Sequence, residues 1–323
     1  MAIAALEPAA WLLASAVILD LLLGDPVYAA HPVRLMGRTL AWLEDRLRAA
    51  GLDGYGGGIA LFFLLLILWV AGPSVFLAWL GHRATPLALG VHLFLVYSLL
   101  AMGDLLRHAS AVEKAVRRNN LDEARQAVAR LVGRDTDHMD LAACRRAAIE
   151  SLSESLTDGF ISPLFWYATG GVPGILLFKV VSTMDSMVGY KTPRYLQFGW
   201  CGARLDDLMN FLPARMAWLM IAAVAGLLPG YSLMQALTVG WRQHSVLPGP
   251  NSGWSEAATA GAIRRKLVGP IWANGKLVTQ VWLGDAAHPP AETAEDFRKA
   301  MVLIVVTGLA AALVAVSCLA VFY

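Results

Sequence analysis

Charged side chains are scarce in this sequence, and their scarcity excludes an ordinary soluble protein. Only 15% of the 323 residues are charged, whereas 57% are hydrophobic; soluble domains have about 25% and about 45–50%. The formal net charge is only +2, and no basic stripe with interleaved aromatic residues is present, so no nucleic acid is expected as a partner. The composition indicates a single integral membrane domain over residues 1–323.

Cysteine is also rare, and the common nucleotide-binding and hydrolase motifs are missing. Cys144, Cys201 and Cys318 lie far apart and follow no zinc or disulfide spacing, which fits a site facing a reducing cytoplasm. The stretch from Gly269 to Leu277 resembles a P-loop, but it has five residues instead of four between its glycines and Leu277 where Ser or Thr should stand. No H-E-x-x-H or G-x-S-x-G motif occurs. Any nucleotide site is therefore of an unfamiliar kind.

Long hydrophobic runs, by contrast, are abundant and predict an all-α, polytopic membrane protein. A bilayer core needs about 20 apolar residues. The run 160–181 is cut by Gly170-Gly171-Val172-Pro173-Gly174, which predicts a re-entrant or broken helix, because freed backbone groups need protein or water around them. One kinked span is the alternative. The other predicted spans are residues 9–24, 59–80, 87–103, 301–322 and, beginning near Pro213, 211–229.

The distribution of Arg and Lys predicts which loops face the cytoplasm. Segment 104–148 carries nine of them and segment 25–58 carries four, whereas the loop 81–86 has only Arg83. By the positive-inside rule the two basic segments face the cytoplasm. We expect 104–148 to be a cytoplasmic helical insertion, with Asp122 as the N-cap and Gly133 as the C′ residue of its second helix, and with a third helix beginning near Asp140.

The first charged stretch, "GDPVYAAHPVRLMGR" (24–38), follows a predicted span. Asp25-Pro26 and His31-Pro32 favour turns. Arg34 and Arg38 are one helical turn apart, a spacing suited to binding a phosphate or carboxylate. Interfacial anchoring by snorkelling arginines explains the same pattern equally well.

The second stretch, "IESLSESLTDGFISPLFW" (149–166), aligns three carboxylates at the start of an apolar run. Glu150, Glu154 and Asp158 recur every four residues and so share one helix face. Arg146 precedes Glu150 by one turn and is predicted to neutralise it. Carboxylates on one face suit Mg²⁺, which takes oxygen ligands and is often shared with phosphates; a surface ion pair is the alternative.

The third stretch, residues 178–215, is dense in charge beside apolar segments. Charges near lipid are costly and are usually functional or paired. Alternating acids and bases around several glycines favour a site for a polyanion and a metal ion over a packed core. The charged residues are Lys179, Asp185, Lys191, Arg194, Arg204, Asp206, Asp207 and Arg215.

The fourth stretch, "LPGPNSGWSEAATAGAIRRKLVGP" (247–270), combines tight turns with uncharged hydrogen-bonding groups. Asn251 and Ser252 offer an amide and a hydroxyl, and Glu256 offers one carboxylate. Trp254 is suited to stack on a flat ligand, although a lone Trp near a membrane is more often an interfacial anchor.

In this order, these stretches resemble the CobD/CbiB family of cobalamin biosynthesis, adenosylcobinamide-phosphate synthase. The matching segments are "LDLLLGDP", "HPVRLMGR", "GRDTDHMD", "ESLSESLTDGFISPLFWY", "STMDSMVGYKTPRYLQFGW", "ARLDDLMNFLPAR" and "PNSGWSEAATAGA". The likeness covers nearly the whole chain. It departs at Ser155, where the family commonly has Asn, and after Gly269, where the usual Gly- and Tyr-rich pattern is missing.

The resemblance implies an ATP-dependent ligase that joins a propionate of adenosylcobyric acid to aminopropanol or its O-phosphate through an amide, with Mg²⁺ and ATP. It implies roles for the charged residues as well. The expected metal ligands are Glu150, Glu154, Asp158, Asp185, Asp206 and Asp207. The expected substrate and phosphate contacts are Arg34, Arg38, Lys179, Lys191, Arg194, Arg204, Asn251, Ser252 and Trp254. Asp158, Asp185 and, as the base, His31 are the catalytic candidates, and a cleft of Trp166, Tyr167, Trp200 and Trp254 would hold the corrinoid.

The resemblance also implies location and partners. We expect a multi-pass protein of the inner membrane, in contact with the lipid bilayer, whose site faces the cytoplasm; other corrinoid-pathway membrane enzymes are candidate partners. All four stretches must then meet on one side of the membrane. The alternatives are a transporter, since such proteins use broken helices and intramembrane charges, and a non-catalytic signalling modulator similar to AmpE.

Overall fold

The computed structural model describes residues 5–24, 28 and 30–322, and these residues are mainly helical. The predicted turn at Asp25-Pro26 lies outside the described residues. The helices are α1 Ala10–Leu23, α2 Pro32–Ala49, α3 Tyr55–Leu66, α4 Gly72–Arg83, α5 Thr85–Leu99, α6 Met102–Arg117, α7 Leu121–Val128, α8 Leu141–Leu156, α9 Ser162–Val188, α10 Trp200–Met209, α11 Phe211–Leu227, α12 Leu233–Gln243, α13 Ser252–Ile263 and α14 Ala294–Phe322. Two π-helical turns, Ile67–Ala71 and Thr157–Ile161, join α3 to α4 and α8 to α9.

The chain divides into two units, each built from separate segments of sequence. Unit 1 contains Met1–Ala101, Ser162–Asn210 and Ala312–Tyr323. Unit 2 contains Met102–Ile161 and Phe211–Ala311. The predicted insertion 104–148 therefore belongs to unit 2, together with α11 to α13, and its cytoplasmic location stays a prediction.

Four helical stretches are long and apolar enough to cross a membrane among the described residues. Three of them, Tyr55–Arg83, Thr85–Arg117 and Ala294–Phe322, contain predicted spans. The fourth, Leu141–Val188, includes the interrupted run. The predicted span 211–229 is the second half of a pair, α10 and α11, bent by 42°. Helix α1 has only 14 residues, fewer than the bilayer core requires, so the prediction of a full span at 9–24 is not met.

The predicted break in the run 160–181 is present at Gly171, within unit 1. Gly171 has φ 59° and ψ −148°, a conformation open almost only to glycine. A Cβ on Gly174 would overlap the carbonyl oxygen of Trp166, whereas eight residues of straight helix would separate the two residues by about 12 Å. The second half of α9 therefore starts beside the first half, and α9 is a broken helix.

Unit 2 is built around α13, which packs against α8, α11 and α12. Small residues permit this close approach. A Cβ on Gly261 would overlap the carbonyl oxygen of Gln235 on α12, and a Cβ on Gly253 would overlap that of His244. Two antiparallel ribbons, β1 Leu267–Val268 with β4 Trp282–Leu283 and β2 Ile271–Ala273 with β3 Lys276–Thr279, add a little sheet to the predicted all-α fold.

The predicted helix ends in 104–148 are partly wrong. Helix α8 begins near Asp140 as expected; Asp140 is its N-cap, and its Oδ1 accepts the Ala143 N–H at 2.7 Å. The N-cap of α7 is Asn120 rather than Asp122, because the Asn120 side chain accepts the Glu123 N–H at 3.1 Å. Helix α7 also ends at Val128, before Gly133.

Candidate functional site

A cavity of about 310 Å³ in unit 2 is lined by three carboxylates and one guanidinium. Helix α8 supplies Glu150 and Glu154, one turn apart on the same face. Helix α13 supplies Ser252 and Glu256, also one turn apart, and the loop before α8 supplies Arg134. The full lining is Leu131, Val132, Gly133, Arg134, Glu150, Ser151, Glu154, Leu247, Pro248, Ser252, Glu256, Val268 and Ile271.

Glu150 is fully engaged within unit 2. Its Oε2 accepts a hydrogen bond from Arg134 Nη2 at 2.6 Å, and its Oε1 accepts the Val268 N–H at 3.0 Å. Arg146, the predicted partner, forms its contact ion pair with Glu292 at 3.0 Å and acts on Glu150 only through a longer-range electrostatic interaction. The sequence spacing suggested Arg146 because it is one helical turn away, but the loop before α8 brings Arg134 closer.

Glu154 and Glu256 are the carboxylates of this cavity that lack a fixed partner. Glu154 is exposed and Glu256 is only 5% exposed. Among the hydrogen bonds and ion pairs of the described residues, neither side chain takes part. Burial, followed by the carboxylates of Glu154 and Glu150, raises the pKa of Glu256 well above its ordinary value, although Arg134 acts in the opposite direction. Such a group is costly to ionise unless a cation approaches it.

The remaining acid of the predicted ladder, Asp158, lies apart from this cavity. It belongs to the π-helical turn Thr157–Ile161 and is half-buried. A π-turn inserts an extra residue into the helix and changes which side chains share a face. Asp158 is consequently missing from the described cavity lining, although it is close enough to Glu256 to interact electrostatically with it.

The start of α13 places the two uncharged candidates of the fourth stretch differently. Ser252 lines the cavity. Asn251 is the N-cap residue of α13 and is 9% exposed, with its Oδ1 accepting from Arg215 Nη1 at 3.4 Å. Trp254 is 3% exposed and stacks on His244 at 4.0 Å between ring centroids. The Trp254 ring is thus part of the packing of unit 2.

A second acidic cluster lies in unit 1, where α10 packs on α9. A Cβ on Gly202 would come within 2.9 Å of the Met184 Cβ, so only glycine permits this approach. It brings Asp206 and Asp207 of α10 close to Asp185 of α9, and Asp206 interacts electrostatically with both of these acids. The three aspartates predicted from the third stretch therefore do meet.

Hydrogen bonds hold one side of this aspartate cluster in place. Asn210 Nδ2 donates to Asp206 Oδ2 at 3.0 Å. Ser162 Oγ in turn donates to Asn210 Oδ1 at 2.6 Å. Both Ser162 and Asn210 are buried, so the orientation of the Asp206 carboxylate is set by a buried polar chain.

Several of the predicted cations also lie near the aspartate cluster. Lys179 interacts electrostatically with Asp206, and Lys191 does so with Asp207. Arg204 lies 3.6 Å from Asp207. Arg194 instead forms an ion pair with Glu44 of α2 at 2.9 Å.

Residues 32–38 of the first stretch form the start of α2 in unit 1. Arg34 and Arg38 are exposed one turn apart on this helix, as predicted. His31 is the N-cap residue of α2, is 2% exposed and packs edge-on against Tyr28 at 5.2 Å. The His31 ring is therefore enclosed by protein.

The predicted aromatic cleft is not assembled from exposed rings. Tyr167 is 0% exposed, and its hydroxyl bonds to His92 Nε2 at 2.8 Å and accepts the Ala9 N–H at 3.0 Å. Trp166 Nε1 donates to the Met209 carbonyl at 3.1 Å. Of the four rings proposed for the corrinoid, only Trp200, at 45%, is exposed.

Five of the six predicted metal ligands thus fall into two groups, Glu150 and Glu154 in unit 2 and Asp185, Asp206 and Asp207 in unit 1. Over the described ranges, no three His, Cys, Asp or Glu side chains come together as a ready-made metal site. Sequence reasoning assigned no role to Arg134 and only a minor one to Glu256. A signal existed for Glu256, since a single carboxylate directly before the run "AATAGAI" (257–263) of mostly small, apolar residues indicates a buried charge with a functional or structural reason to be there.

Comparison with known proteins identifies close relatives. The family described as CobD/Cbib protein matches residues 13–304. Cobalamin biosynthesis protein CobD of a Sinorhizobium species is 39% identical over 298 residues, which cover 88% of this chain and 90% of that protein. Cobalamin biosynthesis protein CobD of Pelobacter propionicus is 37% identical over 313 residues, with 97% and 96% covered. Cobalamin biosynthesis protein CbiB of Salmonella typhimurium is 38% identical over 278 residues, with 83% and 85% covered. No solved structure matches.

Proposed function

Because this chain belongs to the CobD/CbiB protein family, we propose that it acts in cobalamin biosynthesis as adenosylcobinamide-phosphate synthase. The reaction joins a propionate side chain of adenosylcobyric acid to aminopropanol or its O-phosphate. The observation that carries this proposal is the family match over residues 13–304, which includes the residues of both acidic groups.

The chemistry requires the carboxylate to be activated. A carboxylate is a poor acylating agent, so ATP transfers its terminal phosphoryl group to the propionate, giving an acyl phosphate and ADP. The neutral amine nitrogen then attacks the acyl carbon, the amide C–N bond forms, the acyl C–O bond to phosphate breaks, and the nitrogen gives up one proton to the departing phosphate. The protein must therefore hold a polyanion, a cation and an amine at defined places.

The aspartate cluster of unit 1 is suited to the nucleotide. Mg²⁺ is commonly held by one or two carboxylates together with substrate phosphates, and Asp185 and Asp206 supply such a pair, with Asp207 beside them. When bound, Mg²⁺ would offset negative charge on the phosphate oxygens. This fit needs the phosphates as further ligands, which agrees with the lack of a three-residue metal site in the described chain.

Cations for the phosphates lie close to the same aspartates. Lys179, Lys191 and Arg204 interact with Asp206 or Asp207 and would exchange part of these contacts for phosphate oxygens. Arg34 and Arg38, which are exposed one turn apart on α2, supply a second binding site for a phosphate or a carboxylate. Arg194, already paired with Glu44, contributes less.

The location follows from composition and charge. The chain is a multi-pass membrane protein by the length and apolarity of its helices. We place it in the inner membrane with the site facing the cytoplasm, because ATP is supplied there and because the basic segments 25–58 and 104–148 obey the positive-inside rule. Other corrinoid-pathway membrane enzymes are the proposed partners.

The family match over residues 13–304 favours the enzyme over the transporter and AmpE-like alternatives. The position of the aspartates does not separate the enzyme from a transporter, since α10, which carries Asp206 and Asp207, is the first half of the bent pair α10 and α11. A signalling modulator needs no aspartate held by the buried chain of Ser162 and Asn210.

The test is a direct assay of purified protein in detergent. Cobyric acid, Mg-ATP and aminopropanol, with and without its phosphate, should yield the amide, detected by mass spectrometry. Asp185→Ala and Asp158→Ala should abolish conversion but leave membrane insertion intact. Asp45→Ala, in an exposed position on α2, is the matched control and should retain activity. Wild-type rates from both site variants would contradict the assignment.

A further inference from the structure

We propose that the cavity of unit 2 binds the primary ammonium group of the amine substrate between the carboxylates of Glu154 and Glu256. The inference rests on the proposed function for the identity of the amine, but the binding site itself follows from the cavity. It assigns separate tasks to the two acidic groups, since the aspartate cluster is left to the nucleotide.

The charge of the cavity favours a cation. Three carboxylates and one guanidinium line it, and the guanidinium of Arg134 is bound to Glu150, which also accepts the Val268 N–H. Glu154 and Glu256 remain. Their electrostatic interaction with each other is unfavourable when both are ionised and becomes favourable once a positive group lies between them.

The burial of Glu256 distinguishes it from an ordinary surface carboxylate. Glu256 is 5% exposed, lines the cavity and is surrounded along α13 by the fully buried Ala257 and Ala260. No hydrogen bond of the described residues satisfies its carboxylate. The Glu256 oxygens are not among the fully enclosed polar atoms without a hydrogen bond, so the carboxylate is open to the cavity, where a ligand donor reaches it.

The size and lining of the cavity select a short aliphatic amine. A volume of about 310 Å³ is at the lower end for small-molecule sites and cannot admit a corrin macrocycle. Leu131, Val132 and Ile271 supply apolar contact for a short carbon chain, and the Ser252 hydroxyl offers a hydrogen bond to an alcohol or its oxygen substituent.

An ammonium group fits this site better than Mg²⁺ does. Two of its three N–H donors match the two carboxylates, and water in the open cavity accepts the third. A divalent ion requires near-octahedral oxygen ligands, and the described chain brings no third free acid to this cavity.

The experiment measures binding of 1-amino-2-propanol to the full-length protein in detergent micelles by isothermal titration calorimetry. 1,2-Propanediol, which has the same carbon chain without the amine, is the matched probe. The wild type should bind the amino alcohol and not the diol. Glu154→Gln and Glu256→Gln should each weaken binding about tenfold or more, because each removes a charged hydrogen-bond acceptor. Glu123→Gln, exposed on α7, should bind as the wild type does.

In the activity assay, Glu154→Gln and Glu256→Gln should raise KM for the amine about tenfold or more and leave KM for ATP unchanged. The O-phosphate carries the same ammonium group, so the two variants should affect both forms of the amine. Unchanged amine affinity in both variants, equal binding of the diol, or displacement of the amine by Mg²⁺ alone would overturn the proposal. Amine binding that depends on these residues in a protein that forms no amide would support the cavity and refute the proposed function.

Discussion

The ion pair between Arg134 and Glu150 predicts a large and specific effect on stability. The Arg134 Nη2 and Glu150 Oε2 atoms are 2.6 Å apart, and the two side chains are only 12% and 9% exposed. Arg134→Met keeps a side chain of similar length but leaves the Glu150 charge buried, with the Val268 N–H as its remaining hydrogen-bond donor and Arg146 as a positive neighbour. Removal of one partner of a buried pair costs about 3–5 kcal/mol.

The double variant separates this pair from a general effect of mutation. Glu150→Gln alone leaves Arg134 without its counter-charge and should be destabilising too. The combination of Arg134→Met with Glu150→Gln removes both charges and keeps an oxygen for the Val268 N–H, so most of the loss should be recovered. The cycle should give an interaction energy of at least about 2 kcal/mol, whereas independent sites add to within about 0.5 kcal/mol.

The assay is chemical denaturation in detergent micelles, followed by tryptophan fluorescence. Arg118→Met is the control, because Arg118 and Glu123 are exposed and 3.8 Å apart; this change should cost no more than about 1 kcal/mol. If Arg134→Met stays within about 1 kcal/mol of the wild type, or if the cycle is additive, the assignment of a buried, structural pair is wrong.

Three further predictions concern Glu256, Gly171 and Asn210. The raised pKa of Glu256 means that the folded state binds this proton more tightly than the unfolded chain does. The free energy of unfolding should therefore fall as the pH rises from 4.5 toward the pKa of the folded state. Glu256→Gln should remove this fall in pH-dependent unfolding curves, and an unchanged slope in the variant would contradict the prediction. Gly171→Ala should destabilise the folded protein by about 1–3 kcal/mol, since φ is 59° and a Cβ would overlap the Leu6 carbonyl oxygen. Gly170→Ala is the control for the same unfolding assay and should be tolerated, because the space around Gly170 is open. Asn210→Ala should lower activity or apparent Mg²⁺ affinity about 10–100-fold without loss of the folded protein, because it removes the hydrogen bond that orients the Asp206 carboxylate. Titration of the activity with Mg²⁺ measures this effect. An unchanged apparent Mg²⁺ affinity would exclude a positioning role for Asn210.

The membrane class and most apolar helices were predictable from composition and run length. Residues 59–80 and 301–322 are apolar enough to be recognised without any partner, since the bilayer rather than tertiary contact determines their length. The break at Gly171 was predictable as well, because the pattern Gly-Gly-Val-Pro-Gly disfavours a continuous helix whatever lies around it. The 14-residue length of α1 was not predictable, because helix ends depend on local capping and on the neighbouring chain.

The partners of the charged residues were harder to predict. Helical spacing suggested Arg146 for Glu150, yet Arg134, sixteen residues away, is the partner. The exposure of the aromatic rings was also hard to predict from the sequence. A tyrosine such as Tyr167 suits a ligand cleft and a buried hydrogen bond equally well, and the structure shows the buried bond to His92.

The sequence by itself determined that this is a helical membrane protein of the CobD/CbiB family with acidic residues beside its apolar segments, because hydrophobic run length and long motifs are properties of the linear chain. Only the tertiary structure decided which acids are free to act. Glu150 is engaged by a loop, Glu256 is left buried at a cavity, and Asp206 is oriented by Asn210, because burial and hydrogen bonding depend on segments that are distant in sequence and adjacent only after folding.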